Sequence, residues 1–230
     1  MTKISKANVV AALLSFNGGF VDTAGFLGLA GLFTAHVTGN FVTLGAALVH
    51  GSHGIVGKIL ALPEFILVIA LARLAGIALR AHSLPAMQIL LGVKVALLLA
   101  FFVLAVRFGP FPDANTPMAL LTGFAGVGAM AMQNAVQRVH LGQLPPSTMM
   151  TGSTVQVTLD AVDLVTGTKP EQRVQVRTRF SHLALAICFF AFGCAVAAVM
   201  YVYVGFWCLA LSVAVGLAAS VIRIEEARAA

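Results

Sequence analysis

The sequence predicts an all-α polytopic membrane protein of two pseudo-symmetric halves, and three observations predict it. Of its 230 residues, 60% are hydrophobic and 10% charged, with a mean hydropathy of +0.98, against about 25% charged in ordinary soluble domains. The stretch 183–222 holds 40 residues without Asp, Glu, Lys or Arg, room for two membrane helices of roughly 20 residues each. A short polar interruption occurs twice, centred on Thr38-Gly39 and Thr151-Gly152, 113 residues apart. Each copy follows a long apolar run and opens a helix-compatible stretch too polar or too short for an ordinary span.

The elements follow in order. A first span is predicted over 7–31; Lys3 and Lys6 precede it like a signal peptide, but Asp22 and a Gly-rich continuation replace a cleavage site, so the helix is read as uncleaved. A broken element covers 33–50. The second span, 59–79, is preceded by Lys58 and stopped by Arg80 and His82. The third, 87–106, ends at Arg107 and the turn Gly109-Pro110-Phe111-Pro112-Asp113, where Pro and Gly punctuate the chain near its midpoint. The second half repeats the plan: span four at 117–137, a break at Leu144-Pro145-Pro146, a broken element over 147–167, a basic loop, then spans five and six at 183–202 and 206–222. The reading is one membrane domain over 1–230, with a first structural repeat at 7–107 and a second at 117–222.

If the broken elements enter and leave on one face, there are six spans and the halves are antiparallel, the inverted-repeat plan of many secondary transporters. If both cross, there are eight spans and a parallel repeat. Loop and tail cations divide ten to two either way, because Arg80 and Arg138 exchange sides with Lys58 and Arg107. The positive-inside rule therefore puts both termini in the cytoplasm without choosing. Length favours six: 38–50 is 13 residues, about 20 Å of helix against a roughly 30 Å hydrocarbon core.

Composition also narrows the classes of function. The net charge of +6 belongs to orientation signals rather than to a basic stripe with interleaved aromatics, so no nucleic-acid partner is expected. His50, His53, His82, His140 and His182 form no metal-ligand pattern. No P-loop, dinucleotide fingerprint or nucleophile elbow occurs, so neither a cofactor nor an enzyme is expected. Cys188, Cys194 and Cys208 all sit in apolar runs and read as packing residues.

The candidate site is the pair of breaks. Thr38 and Thr151 are read as N-caps, Gly39 and Gly152 as points of close backbone approach, and Asn40 and Ser153 as added hydrogen-bonding groups. Two half-helix N-termini facing each other at membrane depth would offer amide donors and positive dipole ends to an anion or a polar solute. The alternative is that both Thr-Gly pairs only pack helices. Asp22, inside the first span, is a candidate coupling carboxylate, with wetting or a structural ion pair as the ordinary alternative; Gln133-Asn134-Ala135 is its counterpart, and Asn134 joins the predicted solute contacts. Arg73 is read evenly as a site or structural cation, and His36 as a titratable group of the first break. Lys94 is read as structural, while Glu64, Asp160 and Asp163 lie near segment ends where solvation explains them.

The stretch Gly19-Phe20-Val21-Asp22-Thr23-Ala24-Gly25-Phe26, followed by Leu32-Phe33-Thr34-Ala35-His36-Val37-Thr38-Gly39-Asn40, resembles the YoaK-like UPF0700 family of bacterial membrane proteins. Met132-Gln133-Asn134-Ala135 with Met150-Thr151-Gly152 is similar to the same family's second hallmark, although Ser153 stands where an echo of Asn40 is expected. The resemblance covers essentially the whole chain; it implies a multi-pass protein of the bacterial inner membrane and supplies no substrate. The expected function, drawn from the repeat and the breaks, is a small secondary transporter of a small anionic or polar solute, proton coupling being open. The alternatives are a passive channel and a non-transporting assembly or lipid-binding module. Small residues in the spans are compatible with a homodimer.

Overall fold

The computed structural model describes residues 6–50 and 54–222; Lys3, His53, Arg223 and Arg228 lie outside them. The described chain is helical throughout: α1 Lys6–Gly28, α2 Gly39–His50, α3 Ile55–Ala81, α4 Ala86–Phe108, α5 Pro117–His140, α6 Met150–Thr166, α7 Pro170–Val204, a 3-10 turn Gly205–Cys208, and α8 Leu209–Val221. Five stretches are long and apolar enough to cross a membrane, the last being Pro170–Val221, which contains both α7 and α8. The two interrupted elements predicted from sequence become α2 and α6, helices of 12 and 17 residues.

Burial separates the axis of the bundle from its rim. The most apolar window of α1 is 78% buried and that of α5 is 72% buried, against 22% for α3 and 22% for the α7–α8 stretch. Composition is the cause. The buried residues of α1 include Gly18, Gly19 and Gly25, and those of α5 include Gly123, Gly126 and Gly128. Such small residues let backbones approach closely where lipid tails give helices no hydrophobic reason to associate. At Gly19 an added methyl would strike the Phe190 carbonyl and the Cys194 sulfur, and at Gly193 it would strike the Phe16 carbonyl. These paired glycines lock α1 onto α7. α3 instead turns Ile66, Leu67, Leu71, Leu74 and Ile77 outward, as a lipid-facing helix does.

Contacts also fix the helix directions. α1 and α7 run parallel, because Asn8 meets His182 (3.2 Å), Gly19 meets Phe190, and Gly28 meets Tyr201. α3 and α5 are likewise parallel, with Gly57 at Leu120 and Glu64 at Gly128. α1 runs antiparallel to α5, since Gln133 lies at Leu14 and Gly123 at Leu29 and Leu32. α8 runs antiparallel to α1, from Phe206 at Gly28 to Ser212 at Asn17. α4 runs antiparallel to α5, with Phe101 at Gly126 and Leu97 at Gly128. The packing is exchanged between halves: α1 lies against α7 and α8, whereas α5 lies against α3 and α4.

Candidate functional site: two pinned breaks and a buried polar layer

The first break joins α1 to α2. Its turn is drawn against the axis at Gly25 and Gly126, where added methyl groups would lie 2.7 Å and 3.1 Å from Thr34 Cγ2. Asp22 pins it. The buried Oδ1 accepts the backbone N–H groups of Thr34 (2.8 Å), Ala35 (2.7 Å) and His36 (3.3 Å), with Thr34 Oγ1 at 3.4 Å. A carboxylate gathering successive backbone donors is the arrangement that satisfies orphan amides at helix N-termini and in anion-binding turns. Asn40 then closes the loop: its Oδ1 accepts from Phe33 N–H and its Nδ2 donates to Phe33 C=O, both at 2.9 Å. Asp22 and Asn40 thus partner backbone polar groups of the break, as burial at membrane depth demands.

The second break, between α5 and α6, is pinned by amides. Gln133 Nε2 donates to Ser147 Oγ (3.0 Å) and to the Leu14 carbonyl across the axis (2.8 Å). Asn134 Oδ1 accepts from Thr148 Oγ1 at 2.6 Å, and Gln137 Nε2 donates to the Pro145 carbonyl at 2.9 Å. The Ser147 carbonyl sits over Gly18, 2.7 Å from where a Cβ would be.

The Thr-Gly pairs fall elsewhere. Thr38, Thr151 and Gly152 are exposed, and nothing lies within 4 Å of a Cβ built on Gly152. Among the helices α2 packs on α3 alone and α6 on α7 alone, so the two half-helix N-termini do not face one another. The expected facing geometry is therefore corrected. Its physical reason is that Phe41, Val42, Leu48 and Val49 on α2, and Val155, Leu159, Val162 and Val165 on α6, make outward apolar faces; the polar turns before the helices go inside instead. Thr151 is not an N-cap either, because α6 begins at Met150 with Met149 in that position. Ser153 is buried and bonds the Met149 carbonyl at 3.3 Å. With Thr154, Val155, Thr158 and Leu159, Thr151 lines an open groove along α6.

The charged candidates also separate. Arg73 lies in a crevice with Gly76, Arg80, Leu90 and Ala135, towards the opposite end of the axis from Asp22, and the two do not meet. The His36 side chain is exposed and packs on the Phe33 ring at 5.8 Å. Asp160, expected in solvent, is buried, held by Arg179 (2.6 and 2.9 Å) and Gln156 (2.8 Å).

A feature that sequence reasoning passed over lies at the centre. The buried apolar residues form two clusters. One contains Phe20, Leu98, Phe101, Val127 and Leu209; the other contains Val10, Leu14, Leu90, Leu91, Val136 and Ala219. At the boundary between them the four helices of the interior contribute polar groups: Ser15 and Asn17 from α1, Lys94 from α4, Gln133 from α5 and Ser212 from α8, all fully buried. Asn17 Nδ2 donates to the Ser212 carbonyl at 3.2 Å and lies against Gly216, which also meets Val95 and Leu98. Ser15 Oγ, Asn17 Oδ1, Lys94 Nζ, Gln133 Oε1 and Ser212 Oγ have no hydrogen-bond partner among the described residues. The available signal was a lysine in the middle third of a 23-residue apolar helix.

A family model described as "Protein of unknown function (DUF1275)" matches residues 10–222. The chain belongs to the DUF1275 family. The match spans α1 through α8, so both breaks and the polar layer fall within it. No curated protein and no solved structure matches this DUF1275 chain.

Proposed function

We propose that this DUF1275 protein is a small secondary transporter for a small anionic or polar solute. The observation that carries the reading is the layer of five unpartnered buried polar groups between two apolar clusters. Polar groups at such depth are expensive unless they serve a pathway, a bound solute or one another. The solute binds at this layer rather than at the rim, where Thr38, Thr151 and Gly152 lie exposed.

The proposal takes the two halves as an inverted repeat with six crossings. Antiparallel α1 and α5 support it, as does the exchange in which each half's first helix packs on the other half's last two. α1, α4 and α7 then run one way and α3, α5 and α8 the other, so α2 begins and ends near one side and α6 near the opposite side. Repeats related in this way, with broken helices beside a midplane site, are the working parts of alternating access. Asp22 acts through the first break: losing its charge would weaken its hold on three backbone donors and loosen the turn, a route to proton coupling. The likeness to YoaK-like UPF0700 proteins belongs with this reading, as do the bacterial inner membrane and cytoplasmic termini.

A solute-panel thermal shift on purified protein tests the reading, because a bound solute stabilises by mass action. Stabilisation by one solute class, with uptake of that class by proteoliposomes, is expected. A panel that neither stabilises the protein nor enters the vesicles would contradict it.

A further inference from the structure

We infer that Lys94 is the seat of the solute's negative charge, and that the solute is a small monocarboxylate bearing a hydroxyl or amide donor. The inference rests on the transporter reading and narrows its substrate class.

The chain pairs a buried charge where it can. Asp160 is met by two guanidinium nitrogens and an amide, and Asp22 by three backbone donors. Among the described residues Lys94 is the fully buried exception. Its side chain is fully buried in the interior of α4, and Nζ meets neither an acceptor nor an anion among the described residues. Glu64, whose Oε2 is likewise without a partner, lies against Gly128 and makes no ion pair with it. An ammonium at membrane depth calls for a counter-charge, and a transported anion supplies one.

The amides of the same layer say more. Asn17 commits its nitrogen to the Ser212 carbonyl, and Gln133 commits its nitrogen to Leu14 and Ser147. Those bonds fix the orientation of both side chains, leaving Asn17 Oδ1 and Gln133 Oε1 as open acceptors. Chloride or nitrate would compensate Lys94 and leave both oxygens unmet. A neutral polyol would serve the oxygens and leave the ammonium unmet. A carboxylate with a hydroxyl or amide hydrogen answers both, and a site built to bond such a hydrogen discriminates strongly against a solute lacking it.

The probe is glycolate, with acetate, chloride and glycerol as competitors, on full-length protein in proteoliposomes. Labelled glycolate should enter, and unlabelled acetate and chloride should compete at least about tenfold less well than unlabelled glycolate. Lys94→Met should abolish uptake while eluting as a folded protein, and Lys94→Arg should retain part of it. If Lys94→Met does not fold, Lys94→Arg and the wild-type competition series carry the test. Equal competition by chloride and glycolate, or glycolate uptake unchanged in Lys94→Met, would overturn the inference. If another solute class is transported and Lys94→Met leaves that transport intact, the transporter reading stands and this inference falls. If none of the solutes binds or enters, both fall.

Discussion

The two breaks do the same job with different chemistry. The first is held by one carboxylate, Asp22, through three backbone N–H groups. The second is held by neutral amides, Gln133 and Asn134, through the hydroxyls of Ser147 and Thr148. Charge-assisted bonds are roughly twice as strong as neutral ones, and a carboxylate can be protonated where an amide cannot. The first break is therefore the one whose anchor can change its charge. The second, tied across the axis to Leu14, is a fixed strut. In an inverted repeat this asymmetry would let one half respond to a proton while the other keeps its place.

Substitutions rank the contrast by size. Asp22→Leu should be the most damaging, because it strands the buried donors of Thr34 and Ala35 at about 1–3 kcal/mol each, with the part-buried His36 donor besides; Asp22→Asn, which keeps an oxygen but loses the charge, should cost about half as much. Unfolding titrations with dodecyl sulfate check both, and equal stability of Asp22→Leu and wild type would remove the pin. Next comes Gly18→Ala, expected to cost about 1–3 kcal/mol by overpacking, since the new methyl meets the Ser147 backbone at 2.7 Å. Gly25→Ala meets the Thr34 methyl closely, a side-chain end able to turn, and the Leu32 carbonyl only at ordinary contact distance, 3.4 Å, and should cost less; the reverse order would mean that the second break is the looser one. Asn134→Ala, which removes the acceptor of Thr148, should cost about 1 kcal/mol. Smallest is Gly152→Ala: the site is open and helical, so the same titration should show a gain of roughly 0.5–1 kcal/mol.

Much of this fold is legible in the residues. Uncharged length marked the spans, and Pro and Gly marked most of their ends to within a few residues; the exception is the basic stretch read as a loop before residue 183, which is helical because α7 begins at Pro170 and carries its charged first turns beyond the apolar run. Asp22 and Asn134 were legible as functional candidates because a polar side chain inside an apolar helix needs a partner. The partners were not. Composition cannot say that Thr34 and Ser147, rather than Thr38 and Thr151, turn inward; that follows from the apolar outer faces of α2 and α6, which matter only once α3 and α7 are placed beside them. The burial of Lys94 was not legible for a related reason. A lysine in a span reads as snorkelling to the interface until packing encloses its whole stem, and here α5 and α8 do so.

The most direct test sets the centre of the bundle against its rim: glycolate uptake by proteoliposomes carrying Lys94→Met, Thr151→Ala or the unaltered chain. Uptake lost in Lys94→Met and kept in Thr151→Ala is the result this account predicts. Uptake kept in Lys94→Met and lost in Thr151→Ala would return the site to the half-helix ends and contradict it.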